Sequence, residues 1–274
     1  MKFTQISLLI KPDKKPPYFI GSQLRGALGY ALKKVSCINP SFKCEECFSA
    51  SSCTYHQFYE QKNSFRKYRF DFELGLEYYD FNLYLFGEAT KQLPYIVSAL
   101  HMMLTKNGLG KERTLYPYFE LFINGEQSLK NGELHLPNKY IKKLHIDDAK
   151  KNITLYIKTP LRIKKENNFV RDDKLELKDI INSIYQRQMQ LLDKGYKKFP
   201  YPIEGKIIKK YLRYKELTRM SNRQKTTMNL GGIMGKIEII GLNKECYEVL
   251  KVGELIGVGK QTVFGLGKIE VKEA

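Results

Sequence analysis

One order of strand and helix patterns occurs twice in this chain of 274 residues, and it limits the possible folds more than any other feature. Alternating apolar residues indicate strands, and apolar residues three or four positions apart indicate helices. The first half shows a strand over 3–10, a helix over 21–34, two strands within 69–86, a helix over 90–104 and a strand over 118–123. This β-α-β-β-α-β order is typical of the ferredoxin-like, or RRM-like, α+β fold.

The second half repeats most of this order. Its patterns predict a strand over 153–163, a helix over 177–192, a strand over 232–240, a short helix over 244–255 and a final strand over 264–271. A pair of glycines followed by a lysine precedes the last strand in each half, at 108–111 and at 257–260. The shared position of this motif supports an internal repeat.

We therefore predict two tandem ferredoxin-like domains. The N-terminal domain covers 1–125 and carries a small cysteine-rich insertion at 37–53, after its first helix. The C-terminal domain covers 151–274 and ends with a glycine-rich loop. A connecting segment, 126–150, lies between them, because Gly125, Gly132 and Pro137 lie in a polar stretch near residues 125–150.

The charge of the chain points to a polyanionic partner. Lys and Arg number 47 against 29 Asp and Glu, a net charge of +18. Nucleic acid is the commonest partner of such a basic protein, although a lysine-rich or thermophilic proteome also raises the charge. The first residues show no signal-peptide pattern, and no apolar run approaches the ~20 residues of a membrane span. We expect a soluble, cytoplasmic protein with no membrane partner.

The closing glycine segment, residues 257–267, is the first candidate for contact with this partner. Glycine accepts positive φ and close approach, and exposed backbone amides bind anions. The segment follows a helix and opens a strand, which excludes the Walker and dinucleotide-binding loops. We expect its backbone to lie against an RNA strand with a lysine on a phosphate. The candidate residues are Gly257, Gly259, Lys260, Gln261, Gly265 and Gly267.

A basic stretch over 196–225 is the second candidate. It interleaves lysines and arginines, among them Arg213, Arg219 and Arg223, with four tyrosines. Cations for phosphates and rings for bases are what single-stranded RNA requires. The alternative is a solvated face. Arg162, Lys164 and Lys165 are candidates for the same groove.

The glycines and the basic stretch together carry a family resemblance. The run from Arg219 to Gln224, the Gly231, Gly232 and Gly235 cluster and the closing segment resemble CRISPR precursor-RNA-processing endoribonucleases. These form the sixth class of Cas protein, within the repeat-associated mysterious protein superfamily. The run Leu24-Arg25-Gly26-Ala27-Leu28, followed by cysteines and Tyr55, is similar to one branch of that family.

The resemblance implies tandem ferredoxin-like domains that bind CRISPR repeat RNA, with Arg25 among the contacts. It also implies metal-independent cleavage within the repeat, which leaves a 2′,3′-cyclic phosphate and a 5′-OH. The resemblance leaves open whether the protein also forms a homodimer or joins a CRISPR effector complex.

Two other functions also stay open. One is a non-catalytic RNA-binding subunit of an effector complex, and the other is a basic RNA-binding module outside CRISPR biology.

Four cysteines lie close together in the insertion. Cys37, Cys44, Cys47 and Cys53 have the spacing Cys-x6-Cys-x2-Cys-x5-Cys. Thiolates at such spacing favour a structural zinc ion. An iron–sulfur cluster, disulfides and free thiols are the alternatives. Four cysteines leave no open position for catalysis by zinc, so we expect no cofactor for catalysis.

Cleavage through the ribose 2′-OH needs a base, an acid and a cation. Histidine suits the first two tasks, and His56 directly follows the cysteines. Tyr30 and Lys33 stand three apart near the end of the first helix, where relatives often place catalytic residues. The alternatives are a surface histidine or spare metal ligand, and a solvated helix end. His56, Tyr30 and Lys33 are the predicted catalytic residues.

Overall fold

The computed structural model describes residues 1–62, 64–165, 167–171, 174–221 and 226–274. The chain divides into two compact units. Unit 1 comprises Met1–Phe70 and Gly75–Lys143, and unit 2 comprises Asp71–Leu74 and Leu144–Ala274.

Unit 1 has the predicted β-α-β-β-α-β order. Its main elements are β1 (Lys2–Ile10), α1 (Gly21–Ser36), β2 (Tyr68–Phe72, whose last two residues group with unit 2), β3 (Tyr79–Phe86), α2 (Leu93–Met102) and β4 (Glu120–Ile123). The antiparallel strands lie in the order β2-β3-β1-β4, which is the ferredoxin-like arrangement. Alternate residues of β1 are buried, as expected for a strand with one face on the core. Helices α1 and α2 pack against each other and bury their leucines.

The segment predicted as a connector carries short strands. These are β5 (Glu126–Gln127), β6 (Leu129–Lys130), β7 (Glu133–Leu134) and β8 (Lys142–Lys143). β5 pairs with β4, and β8 pairs with β1. Residues up to 143 therefore group with unit 1.

Unit 2 contains the second copy of the order, with two hairpins added. Its elements are β9 (Ile153–Leu161), β10 (Lys164–Lys165), β11 (Asn168–Phe169), α3 (Leu177–Leu191), β12 (Lys206–Lys215), β13 (Thr218–Ser221), β14 (Thr226–Asn229), β15 (Gly232–Ile240), α4 (Lys244–Ile256) and β16 (Ile269–Glu273). Four of them form an antiparallel sheet in the order β12-β15-β9-β16, and α3 packs on α4. Both halves thus confirm the predicted α+β fold.

Two elements of unit 2 differ from the sequence prediction. β12 occupies the middle of the basic stretch, for which we predicted no strand. The last strand begins at Ile269, because a one-turn 3-10 helix and its glycines occupy 262–267.

The helices are short throughout. α1, with 16 residues, is the longest α-helix in the described part of the chain. None of the described helices is both long and apolar enough to cross a bilayer.

Candidate functional site

A ring stack beside α1 positions one of the predicted catalytic residues. The Lys33 ammonium lies 5.2 Å from the centre of the Tyr55 ring, which stacks on Tyr59 with 5.4 Å between ring centres. Tyr59 in turn donates a hydrogen bond to the C=O of Arg25 at 2.8 Å. Its ring lies against Gly29, where a Cβ atom would come within 2.6 Å of it. α1 and the tyrosines therefore hold Lys33 over an aromatic surface.

The hydroxyls of this stack have different environments. Burial raises the pKa of the Tyr59 phenol well above its ordinary value, so Tyr59 stays protonated. The Tyr55 hydroxyl donates to the Glu60 carboxylate at 2.9 Å. Arg25, predicted to contact RNA, lies with its guanidinium carbon 5.0 Å from the Tyr59 ring centre. Tyr55 and Glu60 were missing from the predicted site, although the position of Tyr55 beside His56 offered a signal.

The cation next to Tyr30 is Lys34, whereas the helical spacing had paired Tyr30 with Lys33. The Tyr30 ring is about half exposed and lies 4.7 Å from the ammonium of Lys34. Lys34 also approaches the side-chain oxygen of Asn107 at 3.5 Å. Tyr30 and Lys33 thus contact separate partners, although both project from the last turns of α1.

His56 begins a single turn of π-helix, His56–Glu60, which several hydrogen bonds fix in place. The Tyr55 amide donates to Ser36 Oγ at 3.2 Å, which ties the turn to the end of α1. Arg66 donates to the C=O of Gln57 at 3.1 Å. The half-buried His56 imidazole forms no hydrogen bond or ion pair with residues that the structure describes. Its nitrogens are therefore available to a ligand.

The four clustered cysteines are half-buried free thiols. The Cys37 thiol donates to the C=O of Asn39 at 3.7 Å, and Cys47 Sγ lies 3.3 Å from Ser49 Oγ. Among the described residues, no group of three or more His, Cys, Asp or Glu side chains is arranged to hold a metal ion.

The closing glycine segment uses its backbone inside unit 2. Main-chain amides that donate to carbonyl groups of the same unit include those of Gly257, Val258, Lys260, Gly265 and Gly267. The Gly259 amide donates to Ser183 Oγ at 3.1 Å. Within the segment, which the structure describes completely, only Lys260 is exposed. The segment therefore presents a lysine side chain on a tightly bonded support, where we had expected a row of open amides.

The glycines allow this close packing. Gly257, Gly259, Gly265 and Gly267 all have φ between 71° and 80°. A Cβ atom at Gly259 would lie 2.5 Å from the C=O oxygen of Arg162. Gln261, also left-handed at φ 64°, buries a side-chain oxygen that has no hydrogen-bond partner among the described residues.

The predicted arginines of the basic stretch lie on two elements. Arg213 is exposed on the edge strand β12. Arg219, on β13, places its guanidinium carbon 4.5 Å from the centre of the Phe264 ring in the glycine segment. Arg223 lies outside the described residues. β13 therefore brings one predicted RNA contact to the glycine segment.

Arg162 and Phe169 form a contact that no sequence pattern indicated. Arg162 lies against the Phe169 ring, with 4.2 Å between guanidinium carbon and ring centre. Burial lowers the pKa of Arg162, but an arginine still carries its charge at neutral pH. Phe169 escaped the sequence analysis because its position depends on the short β10–β11 hairpin.

Comparison with known proteins gives these sites a family context. Residues 3–121 match a family model described as AF_1859_N, an N-terminal domain. Residues 155–269 match the model of the CRISPR-associated endoribonuclease Cas6. An uncharacterised protein of Archaeoglobus fulgidus is 24% identical, over 95% of this chain and 94% of its own length.

Solved structures show the same fold. A Cas6 product complex has a TM-score of 0.59 and 12% identity, and the match covers 100% of both chains. Cas6 from Thermus thermophilus has a TM-score of 0.54 and 13% identity, with 99% of this chain and 98% of that chain covered. Over residues 155–269, the chain is therefore similar to the CRISPR-associated endoribonuclease Cas6 family, and its fold is that of the solved Cas6 structures.

Proposed function

We propose that this protein is an endoribonuclease that cuts CRISPR precursor RNA within its repeats. The match of residues 155–269 to the Cas6 family carries this proposal. The structures similar to this chain include Cas6 complexes described as holding a product and a substrate mimic. The net charge of +18 is in keeping with an RNA substrate.

The proposed reaction needs no metal ion. The ribose 2′-oxygen attacks the adjacent phosphorus, the bond from phosphorus to the 5′-oxygen breaks, and a 2′,3′-cyclic phosphate and a 5′-OH result. His56 takes the proton of the 2′-OH, since its imidazole is held in place and pairs with no other described residue. Lys33 stabilises the charged phosphorane, and Tyr30 donates a proton to the leaving oxygen.

RNA binding is assigned to residues of both units. In unit 2 we propose that Lys260 contacts a phosphate from its glycine support, with Arg213, Arg219 and Arg223 along the same strand of RNA. In unit 1 the half-buried Arg25 is the proposed contact. Single-stranded RNA suits this set, because exposed tyrosines accompany the cations.

Cleavage is tested with labelled repeat RNA in EDTA. We expect a single cut within the repeat, with a cyclic phosphate on one product and a hydroxyl on the other. A scrambled RNA of equal length should stay intact. Binding of the repeat without any cut would contradict the proposal and would favour the alternative of a non-catalytic RNA-binding subunit.

Substitutions test the catalytic assignment. Single-turnover rates of His56→Ala, Lys33→Ala and Tyr30→Phe should fall by about 100-fold or more, because each removes a proton-transfer or charge-stabilising group. Lys43→Ala removes an exposed lysine from the neighbouring cysteine-rich insertion and is the control, with an unchanged rate expected. Full activity in all three variants would show that the cutting groups lie elsewhere.

A structural zinc ion in the insertion is a separate proposal, and it rests on cysteine spacing alone. Purified protein should contain one equivalent of zinc, and metal removal should free four thiols. Iron and visible absorbance would indicate the iron–sulfur alternative. Protein that is metal-free as purified and carries four reactive thiols would contradict both.

The remaining proposals concern partners and location. We propose that the protein is cytoplasmic. We also propose that it acts alone, as a homodimer or within a CRISPR effector complex. One structure with a TM-score of 0.54 is described as a partial complex of Cas6-RT-Cas1 with Cas2. Light scattering of the purified chain, with and without repeat RNA, distinguishes monomer from dimer.

A further inference from the structure

Arg162, just after β9, contacts three separate segments of unit 2. Its side chain is only 6% exposed. Its guanidinium donates to the C=O of Gly231 and lies 4.2 Å from the ring centre of Phe169. Its own C=O accepts the amide of Lys260 at 2.9 Å. No step of the proposed cleavage uses this residue.

Each of the three segments carries a cation. The glycine segment carries Lys260. The β10–β11 hairpin carries Lys164, whose ammonium lies 5.2 Å from the same Phe169 ring. The β13–β14 hairpin, which leads into Gly231, carries Arg219. Arg162 is therefore a buried residue that contacts all three segments, and each of these segments carries a candidate RNA-binding cation.

Arginine suits such a junction better than another residue of its size. A buried cation is unfavourable unless hydrogen bonds and packing compensate it, and one nitrogen of Arg162, Nε, has no partner among the described residues. In return, the planar guanidinium donates in fixed directions and stacks on a ring at the same time. An apolar side chain would fill the space but could not bond to Gly231 or stack in this way on Phe169, although the main-chain bond to Lys260 would remain.

We propose that Arg162 is a positioning residue that holds Lys260, Lys164 and Arg219 at the separations set by the phosphates of bound RNA. The inference rests on RNA binding by unit 2. Arg162 itself does not contact RNA, because its side chain is buried against Gly231 and Phe169.

The salt dependence of binding tests this inference. The probe is repeat RNA with a single 2′-deoxy substitution at the cut site, and the readout is the slope of log Kd against log salt. One phosphate contact to a single strand contributes about 0.7 to this slope. Lys260→Met is the reference and should lose about 0.7. Arg162→Met should lose about twice as much, because Lys164 and Arg219, on the two segments that the guanidinium contacts, are displaced together.

Two further variants separate positioning from charge. Phe169→Leu removes the stacking surface but no charge, and it should still reduce the slope by about 0.7 or more. Arg162→Lys keeps the charge but lacks the planar fork, and it should restore less than half of the lost slope. Phe169→Leu also provides the test if Arg162→Met does not fold.

Three results would overturn the inference. A loss in Arg162→Met equal to that of Lys260→Met would make Arg162 a single phosphate contact. An unchanged slope with lowered thermal stability would make it a purely structural residue. Full rescue by lysine would show that charge alone matters. A wild-type protein that binds the repeat but never cuts it would contradict the proposed function and leave this comparison intact.

Discussion

At the residue scale, two glycines end helices in the same way. Gly108 has φ 75° and ψ 164°, and Gly257 has φ 76° and ψ 163°. The sequence predicted this equivalence, because each glycine opens the same short motif before a last strand. It did not predict what each glycine packs against. A Cβ atom at Gly267 would lie 1.8 Å from the C=O oxygen of Val258, and this contact exists only once the chain has folded.

Two alanine substitutions separate backbone strain from crowding. Gly241 has φ 68° and open space around its Cα, so Gly241→Ala should lower the free energy of unfolding by about 1–2 kcal/mol. Gly267→Ala has the same strain and also the clash with Val258, so it should lose at least about 2 kcal/mol more. Denaturant unfolding measures both losses, and equal values would show that the glycine segment tolerates a side chain.

At the element scale, β12 shows where sequence patterns stop being informative. The strand forms the edge of its sheet, and most of its side chains are exposed. An edge strand exposed on both faces has no apolar alternation, so its lysines suggested only a binding stretch. Lysines along an edge also discourage pairing with other chains. Strands and helices with one buried face, such as β1 and α3, were predicted within a few residues.

The start of α3 provides a pH-dependent test. Glu176 caps the helix, and hydrogen bonds from Lys165 and Lys178 lower its pKa to about 2 from 4.5. Because this pKa is lower in the folded state, the ionised Glu176 carboxylate stabilises the fold above pH 4.5. This stabilisation is lost as the pH falls towards 2. Glu176→Gln should therefore lower the melting temperature at pH 6 and reduce its fall between pH 4.5 and 2. Identical melting curves for both proteins across this range would contradict the assignment.

The matched variant for this test is Lys178→Gln, which removes one of the two cations while the Glu176 cap remains. Its pH dependence should fall between those of the wild type and Glu176→Gln, since Lys165 still pairs with Glu176 at 2.8 Å.

At the scale of the whole molecule, the repeated order of elements predicted both ferredoxin-like units. The candidate catalytic site was only partly predictable. His56, Tyr30 and Lys33 followed from residue chemistry and position, but the ring stack of Tyr55 and Tyr59 over Lys33 did not. Lys33 and Tyr55 meet because the cysteine-rich insertion returns to α1, and no periodicity in the sequence records that path.

The central claim is that this chain cuts RNA through the ribose 2′-OH. The most direct measurement compares two repeat RNAs in EDTA, one fully ribose and one with a single 2′-deoxy nucleotide immediately before the cut. We predict that both bind with equal affinity and that only the first is cut. Cleavage of the 2′-deoxy RNA at a comparable rate, or cleavage that requires added metal ion, would contradict this account.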